Sequence, residues 1–403
     1  MTEFPYLDTV TADPRLLGMP HILCPMAQFN SSPRMGMFAQ HLTQSMVINQ
    51  PEFNKIFTGF EHHFIPYTIK PPTREYDYEI VEKILKYTPS LVNAENCPQL
   101  YVIALTKEPK PRLDYFTLDR YFKGTQDFGW IPEIQNRHLL TPGDILDKET
   151  PIMHSPSVKG DYYCFGANLN IIYGSFPETI EDAFIISESA AKKLGTWQIS
   201  EVTIDCRMDQ RPLNLYGSQH DEKFLPDIGS YVRDDGLLCA FRPIHWSTIV
   251  ADSDPKMLQE FLPLQDYGYY IEPGAKIVDL TFNINRNKIN NCYNQARRYE
   301  QDSNVFWQAI YKTYIKYKGK YKLTERMESL VKTAIYRLIA QGANIPSLDA
   351  EFRKAARNAD IEGDGSNGTL VDFMQVIVTY AVPRLVEVGS KLSDVQGARI
   401  LAS

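Results

Sequence analysis

TIEDAFIISESAAKK, running from Thr179 to Lys193, holds three kinds of local structure in one short stretch. Two adjacent acids, Glu181 and Asp182, stand ahead of the apolar run Phe184-Ile185-Ile186, and the Ser187-Glu188-Ser189 cluster follows. A short apolar run bounded by polar residues reads as a strand, and a serine ahead of small and charged residues reads as a helix start. Carboxylates at the mouth of such a strand can hold a hard cation directly or through its waters. Successive strand side chains point to opposite faces, so this pair alone does not form a bidentate cage. The competing reading is a pair of solvated turn acids.

Around this stretch the chain has 403 residues, 43% hydrophobic and 23% charged, which predicts an ordinary globular protein of two or three domains. The formal net charge of −7, from 42 basic and 49 acidic residues, argues against a free-standing nucleic-acid binder. Cysteines 24, 97, 164, 206, 239 and 292 form no CxxC pair, so no zinc knuckle or redox motif is expected and a reducing, cytoplasmic setting fits. No apolar run approaches the roughly 18 residues of a membrane helix, and MTEFPYLDTV (1–10) lacks a signal-peptide core.

Periodicity predicts a helix from about Met35 to Gln50, with Pro33 as its start signal, and a short amphipathic helix over Tyr78–Tyr87. A strand is expected over Leu100–Leu105. Residues 150–190 read as strand, loop, strand and short helix, and residues 197–290 as β-rich. A helical region from Asn294 to Arg357 is divided by Pro346, and strand character returns over 369–388. KEPKPR (Lys107–Arg112) reads as a polyproline-like linker. Between Tyr311 and Arg337 lie Lys312, Lys316, Lys318, Lys320, Lys322, Arg326, Lys332 and Arg337, against Glu325 and Glu328 only. Interleaved tyrosines make this stretch suited to a phosphate backbone or an acidic partner; the alternative is a solvated helix face.

Two further constellations can carry chemistry. Ser32-Pro33-Arg34, with Gln44 about three helical turns later, puts an arginine beside a helix's positive end, where it can grip phosphate oxygens. Gly389-Ser390-Lys391-Leu392 and Gly397-Ala398-Arg399 put two cations on a glycine-punctuated loop that can converge on phosphates. A surface arginine and a basic tail are the plain alternatives. Asn358–Asp364 (NADIEGD) has acids at alternate positions that can share one Mg²⁺, but it precedes an expected strand and reads as a turn, as does Asn367-Gly368. Position twelve of an EF-hand there would be Val371, not glutamate. Glu61-His62-His63 lacks a third ligand at motif spacing and reads as structural or surface.

In their order and spacing, these segments resemble the second-largest, β-type subunit of multisubunit DNA-dependent RNA polymerases. Ser32-Pro33-Arg34 with Gln44 is similar to that family's SPRNTYQxxMGKQ segment, with Met35, Gly36 and Met37 replacing Asn-Thr-Tyr and Thr43 the lysine. DILDKETPIMHSP (Asp144–Pro156) followed by Thr179–Lys193 resembles the G-D-x-L…Y-N-x-E-D-A-x-x-I-S-E stretch. GSKLSDVQGARILAS resembles G-D-K-x-x-x-R-H-G-x-K-G, with Ser390, Val395, Gln396 and Arg399 in place of Asp, Arg, His and Lys. The divergence and the span are similar to the split polymerase subunits of giant bacteriophages.

The resemblance implies a mixed, β-rich α+β fold. Residues 1–150 would form a fork- and hybrid-binding-like region and 151–195 the first part of a double-psi β-barrel. Residues 196–368 would form a flap-like module with a helical tip, and 369–403 further barrel strands and an active-site loop. Another chain would complete the barrel. It also implies contacts to nucleotide from Arg34, Lys391 and Arg399, a place for Gln44 on the RNA path, and a second Mg²⁺ held through water by Glu181 and Asp182. The principal Mg²⁺ ligands would lie on the largest-subunit chain. Expected partners are other β-like and β′-like chains, DNA template, RNA and nucleoside triphosphates, with a specificity factor at the flap and no membrane. The expected location is the host bacterial cytoplasm, with virion packaging also open. The rival reading is a non-catalytic scaffold of the same kind of complex, recruiting partners through the basic helical region.

Overall fold

The computed structural model describes residues 18–45, 48–65, 76–93, 95–123, 128–131, 133–134, 140–148, 152–160, 162–174, 183–207, 209–243, 262–284, 294–340, 374–390 and 399–402. The fold is mixed α+β, with several sheets and few helices. The chain divides into two compact units. Unit 1 comprises Met1–Lys70, His154–Trp197 and Arg384–Ser403, and unit 2 comprises Pro71–Met153 and Gln198–Pro383. The expected first region, 1–150, is thus shared between them.

Unit 2 is organised by a five-stranded sheet in the order β17-β3-β2-β1-β7. Its strands are β1 (Tyr78–Leu85), β2 (Gln99–Thr106), β3 (Arg112–Asp119), β7 (Ile145–Leu146) and β17 (Lys322–Leu323). Strand β2 contains the expected Leu100–Leu105. Its even-numbered residues Leu100, Val102 and Ala104 join one core, while Tyr101, Ile103 and Leu105 join another on the opposite face. Helices α5 (Asn294–Tyr317) and α6 (Glu325–Ala340) cover that second face, through Phe306, Ile310, Met327, Val331 and Ile335.

Tyr78–Leu85 is a strand, not the expected amphipathic helix. Ile80, Val81, Ile84 and Leu85 imitate helical spacing because the register shifts between Ile80 and Glu82. A bulge reverses the phase of alternation. Ile80 consequently enters one core and Ile84 the other, although both are apolar at i and i+4.

A second sheet has the order β16-β18-β12-β5-β4. It contains β4 (Phe122–Lys123), β5 (Phe128–Trp130), β12 (Thr196–Cys206), β16 (Lys276–Ile284) and β18 (Met374–Arg384). A third sheet joins β13 (Gln210–Pro212), β14 (Leu237–Pro243) and β15 (Tyr267–Tyr270), in keeping with the β-rich reading of 197–290. Ile204, Phe241, Ile277, Leu280, Val376 and Val378 from these sheets build the largest core, which also takes in Ala296 and Tyr299 of α5. A helix of this length spans about 36 Å, enough for its two halves to serve two cores. Where the chain leaves unit 2, β6 (Glu133–Ile134) and β8 (Met153–His154) form a ribbon.

A buried polar cluster fastens the helices to the first sheet. Asp114, fully buried on β3, accepts hydrogen bonds from Tyr78 Oη (2.7 Å), Thr324 Oγ1 (2.7 Å) and Arg326 Nη2 (2.8 Å). Thr324 also caps α6 by accepting from Met327 N, so one carboxylate sets where that helix begins.

Unit 1 contains α1 (Met19–Ile22), α2 (Ser32–Thr43), α3 (Glu61–Phe64), the ribbon β9 (Val158–Lys159) with β10 (Tyr162–Tyr163), and α4 (Glu188–Lys193). It also contains β11 (Ala183–Ile185), paired in parallel with β19 (Arg399–Ala402). Its one hydrophobic cluster of described residues is Ile186, Ala191 and Val386. No closed barrel is formed by the described residues.

Candidate functional site

The expected site residues all belong to unit 1, drawn from its three separate segments. The first is carried by α2, which begins at Ser32 rather than near Met35, so Pro33 lies in its first turn. Proline is tolerated there because the first helical N–H groups have no internal partner. Arg34 is exposed in that same turn, and its Nη1 reaches along the helix to Met37 Sδ at 3.7 Å. Gln44 is the exposed C-cap, its N–H bonded to Gln40 O. Ten residues of helix separate the two by about 15 Å, so one phosphate group cannot touch both.

The second segment meets the third in the β11–β19 pair. Ala183 is opposite Arg399 and Phe184 opposite Ile400. Glu181 and Asp182 immediately precede β11 but lie outside the described residues, as does Lys391. Adjacent strands lie about 4.8 Å apart. The backbone of Arg399 therefore stands one strand spacing from the residue that follows the two acids. After β11, Ser187 Oγ accepts from Ala190 N at 3.3 Å and starts α4, as its sequence predicts.

Strand β18 ends at Arg384, and the following turn is closed by Ser390. Its N–H donates to Glu387 O and its Oγ accepts from Glu387 N, both at 3.0 Å. Gly389 occupies φ +88°, a region open to glycine at little cost. Ser390, which replaces an aspartate in the resembling motif, is thus a turn-closing residue.

Around these elements, Glu52 is a local hub. Its carboxylate accepts from Lys193 Nζ (2.9 Å) and Asn168 N (2.9 Å), while its N–H donates to Gly166 O (2.8 Å). The hydrogen bond from Lys193, helped by Asn168, lowers its pKa. Asn49 ties the same region to the start of β12 through Gly195 O and Trp197 N. None of these ties is marked by a sequence motif, since each joins residues far apart in the chain.

Glu61 is buried, which opposes its ionisation. The N–H groups of Thr58 and Gly59 and the Thr58 hydroxyl nevertheless hold its pKa below the usual value. Its oxygens therefore hold the 58–59 turn that leads into α3, and the His62 and His63 rings that follow are tilted against each other with centres 3.9 Å apart. Among the described residues no group of three His, Cys, Asp or Glu side chains could hold a metal ion. The carboxylates of Glu181 and Asp182 are hard donors suited to Mg²⁺ waters, as auxiliary ligands and not a complete cage. The acidic 358–364 stretch, Asn367-Gly368, Pro346 and Cys292 lie outside the described residues. The other five cysteines are buried and form no disulfide with one another.

The basic helical region is divided by its environment. Arg326 is taken by Asp114 and Lys332 by Glu328 (2.7 Å), whereas Lys312, Lys316, Lys320 and Lys322 are exposed. No helix among the described residues is long and apolar enough to cross a membrane. The chain matches no protein-family model and no curated protein.

Proposed function

We propose that this chain is a β-like subunit fragment of a DNA-dependent RNA polymerase, acting in transcription only within a multisubunit assembly. The observation that carries this reading is the parallel pairing of β11 with β19. It joins the backbone of two remote segments whose motifs resemble strands and loops of one double-psi β-barrel in that family. A second support is what this pair leaves open. Phe184 and Ile185 are exposed on it, and in the same unit Ile171, Ile172 and Tyr173 are 71%, 87% and 94% exposed. Two short strands do not make a self-sufficient sheet, and parallel sheets are ordinarily covered on both faces. Strands of a second polymerase chain would complete the double-psi barrel and cover these residues.

In the assembled centre the RNA 3′ hydroxyl attacks the α-phosphate of a nucleoside triphosphate and pyrophosphate leaves. Arg34 would grip the incoming triphosphate, while Lys391 and Arg399 would hold phosphates at the RNA end or the nucleotide. Gln44, about 15 Å along α2 from Arg34, would line the RNA path. Glu181 and Asp182 would hold a second Mg²⁺ through water, which supplies charge neutralisation at the triphosphate. The principal metal ligands would come from a β′-like chain.

The second reading, a non-catalytic scaffold of the same kind of complex, is favoured by one observation. Ser390 spends its hydroxyl on a turn where the resembling motif has an acid. Elongation assays on the reconstituted assembly separate the two. Arg34→Ala should lower kcat/KM for nucleotide by roughly 100-fold, the scale of one charged transition-state contact, while leaving assembly unchanged. Wild-type kinetics for both Arg34→Ala and Lys391→Ala would leave the scaffold reading standing. Mass spectrometry of co-purified chains should find β-like and β′-like partners.

A further inference from the structure

Several cations of unit 2 lie in ion pairs: Arg233 with Asp235, Arg242 with Asp266, Arg298 with Asp221, Arg326 with Asp114 and Lys332 with Glu328. At one corner, cations without such pairs gather. Helix α5 ends at Tyr317, Gly319 at φ +80° turns the chain, and β17 then runs parallel to β3 with Lys322 opposite Arg112. In a parallel pair, the residues preceding each strand lie at the same end. The turn 318–321 is therefore brought beside the β2–β3 connection 107–111, a segment whose sequence reads only as a linker.

Lys107, Lys110, Lys312, Lys316, Lys320 and Lys322 are exposed there, and none has an acidic partner among the described residues. Lys318, in the same turn, holds its ammonium 5.8 Å from the Tyr314 ring centre. The acids of the two segments, 107–112 and 311–323, reduce to Glu108, which is engaged by Arg112 at 2.9 Å. Tyr317 and Tyr321 are half-buried within the patch, their ring centres 6.0 Å apart, and Lys316 lies 5.3 Å over the Tyr317 ring.

We propose that this corner, formed by the α5–α6 turn and the β2–β3 connection, binds single-stranded nucleic acid. Its lysines would follow the phosphates, and Tyr317 and Tyr321 would offer a surface for a base. Exposed cations gathered at one corner suit a regularly charged strand, and half-exposed aromatic rings among them are what base stacking uses. A protein partner fits less well. None of the exposed large hydrophobic side chains falls within 105–113 or 311–323, so the corner lacks the apolar anchors that dominate protein interfaces. The overall charge of −7 makes binding local, because the rest of the surface repels a polyanion.

The proposal stands apart from the nucleotidyl-transfer reading, and its test uses the purified full chain alone. Fluorescence anisotropy with a labelled oligouridylate of about 16 nucleotides should show binding that weakens by about 50-fold between about 50 and about 200 mM salt, as four phosphate contacts on a single strand require. The combined variant Lys312→Gln, Lys316→Gln, Lys320→Gln and Lys322→Gln should bind at least about 10-fold more weakly at low salt and lose most of that salt slope. Tyr321→Ala should weaken oligouridylate binding, and Arg34→Ala should leave it unchanged. An unaltered slope in the lysine variant overturns the proposal. So does tighter binding of duplex DNA, or of a polyglutamate peptide, than of the single strand at the same salt. Loss of elongation in Arg34→Ala with intact oligonucleotide binding separates the two readings.

Discussion

The two units of the chain meet the same physical requirement unequally. Among the described residues, unit 2 buries apolar side chains in three clusters, the largest of 20 buried residues, whereas the cluster of unit 1 has three. Of the 20 large hydrophobic residues exposed among the described ones, 15 belong to unit 1, although it is the smaller unit. Apolar surface left in water forgoes about 25 cal/mol per Å². Among its described residues, unit 1 exposes Phe29, Ile172 and Tyr173, apolar surface of the kind a partner can cover. Unit 2 carries the larger described cores; unit 1 carries the segments with the candidate motifs.

That contrast breaks most sharply in the cores. Leu280→Ala in unit 2 should cost about 3 kcal/mol of unfolding free energy in urea, while Ile172→Ala in unit 1 should stay within about 0.5 kcal/mol. Similar losses from both substitutions would dismiss the difference between the units. Next in size is Asp114→Asn, which removes the charge facing Arg326 and leaves the Tyr78 and Thr324 hydroxyls competing for one acceptor. About 2 kcal/mol should be lost, and a wild-type urea midpoint would mean the cluster is replaceable.

The unit 1 surface can be probed without disturbing the fold. Ile172→Asp with Tyr173→Asp should change the thermal midpoint of the chain alone very little, yet weaken capture of the proposed β-like or β′-like partner by about 10-fold or more. Unchanged capture would move the interface elsewhere in unit 1.

The smallest expected effects are of opposite sign in the two units. Burial raises the pKa of Asp302, opposed by hydrogen bonds from Thr88. Its folded form therefore binds a proton more tightly than the unfolded chain. Stability from this group is full below the unfolded value near 3.8 and is lost as pH rises through the folded value. For Glu61, held below 4.5, stability is present above that value and is lost as pH falls through the folded one. Asp302→Asn should remove a decline in stability on raising pH from about 4, and Glu61→Gln should remove a decline on acidification. Denaturation midpoints across that range that keep both slopes would refute the assignment.

Much of the local structure was legible because it depends on near neighbours. Ser187 caps α4, Pro33 opens α2, and the apolar run over 374–382 is a strand. The helical period from Asn294 is also present, but the two residues of β17 that interrupt it are not, because their partner is β3. Tyr78–Leu85 was misread for a related reason. Its period is defined by two opposite cores and a bulge, none visible along one segment. Arg34 and Gln44 could be singled out from type and spacing, whereas the closure of a turn by Ser390 depends on its bond to Glu387.

By itself, then, the sequence determined the Ser187 start of α4, the strands at 100–105 and 374–382, the helical period from Asn294 and the absence of any CxxC pair. These depend on side-chain chemistry and on spacing within a few residues. Tertiary structure alone decided that β11 lies against β19, that Asp114 anchors α6, and that the linker at 107–111 adds its lysines to the turn at 318–321. Such juxtapositions arise from hydrogen bonding and burial between remote segments, and a linear pattern carries no record of which remote segment will be the partner.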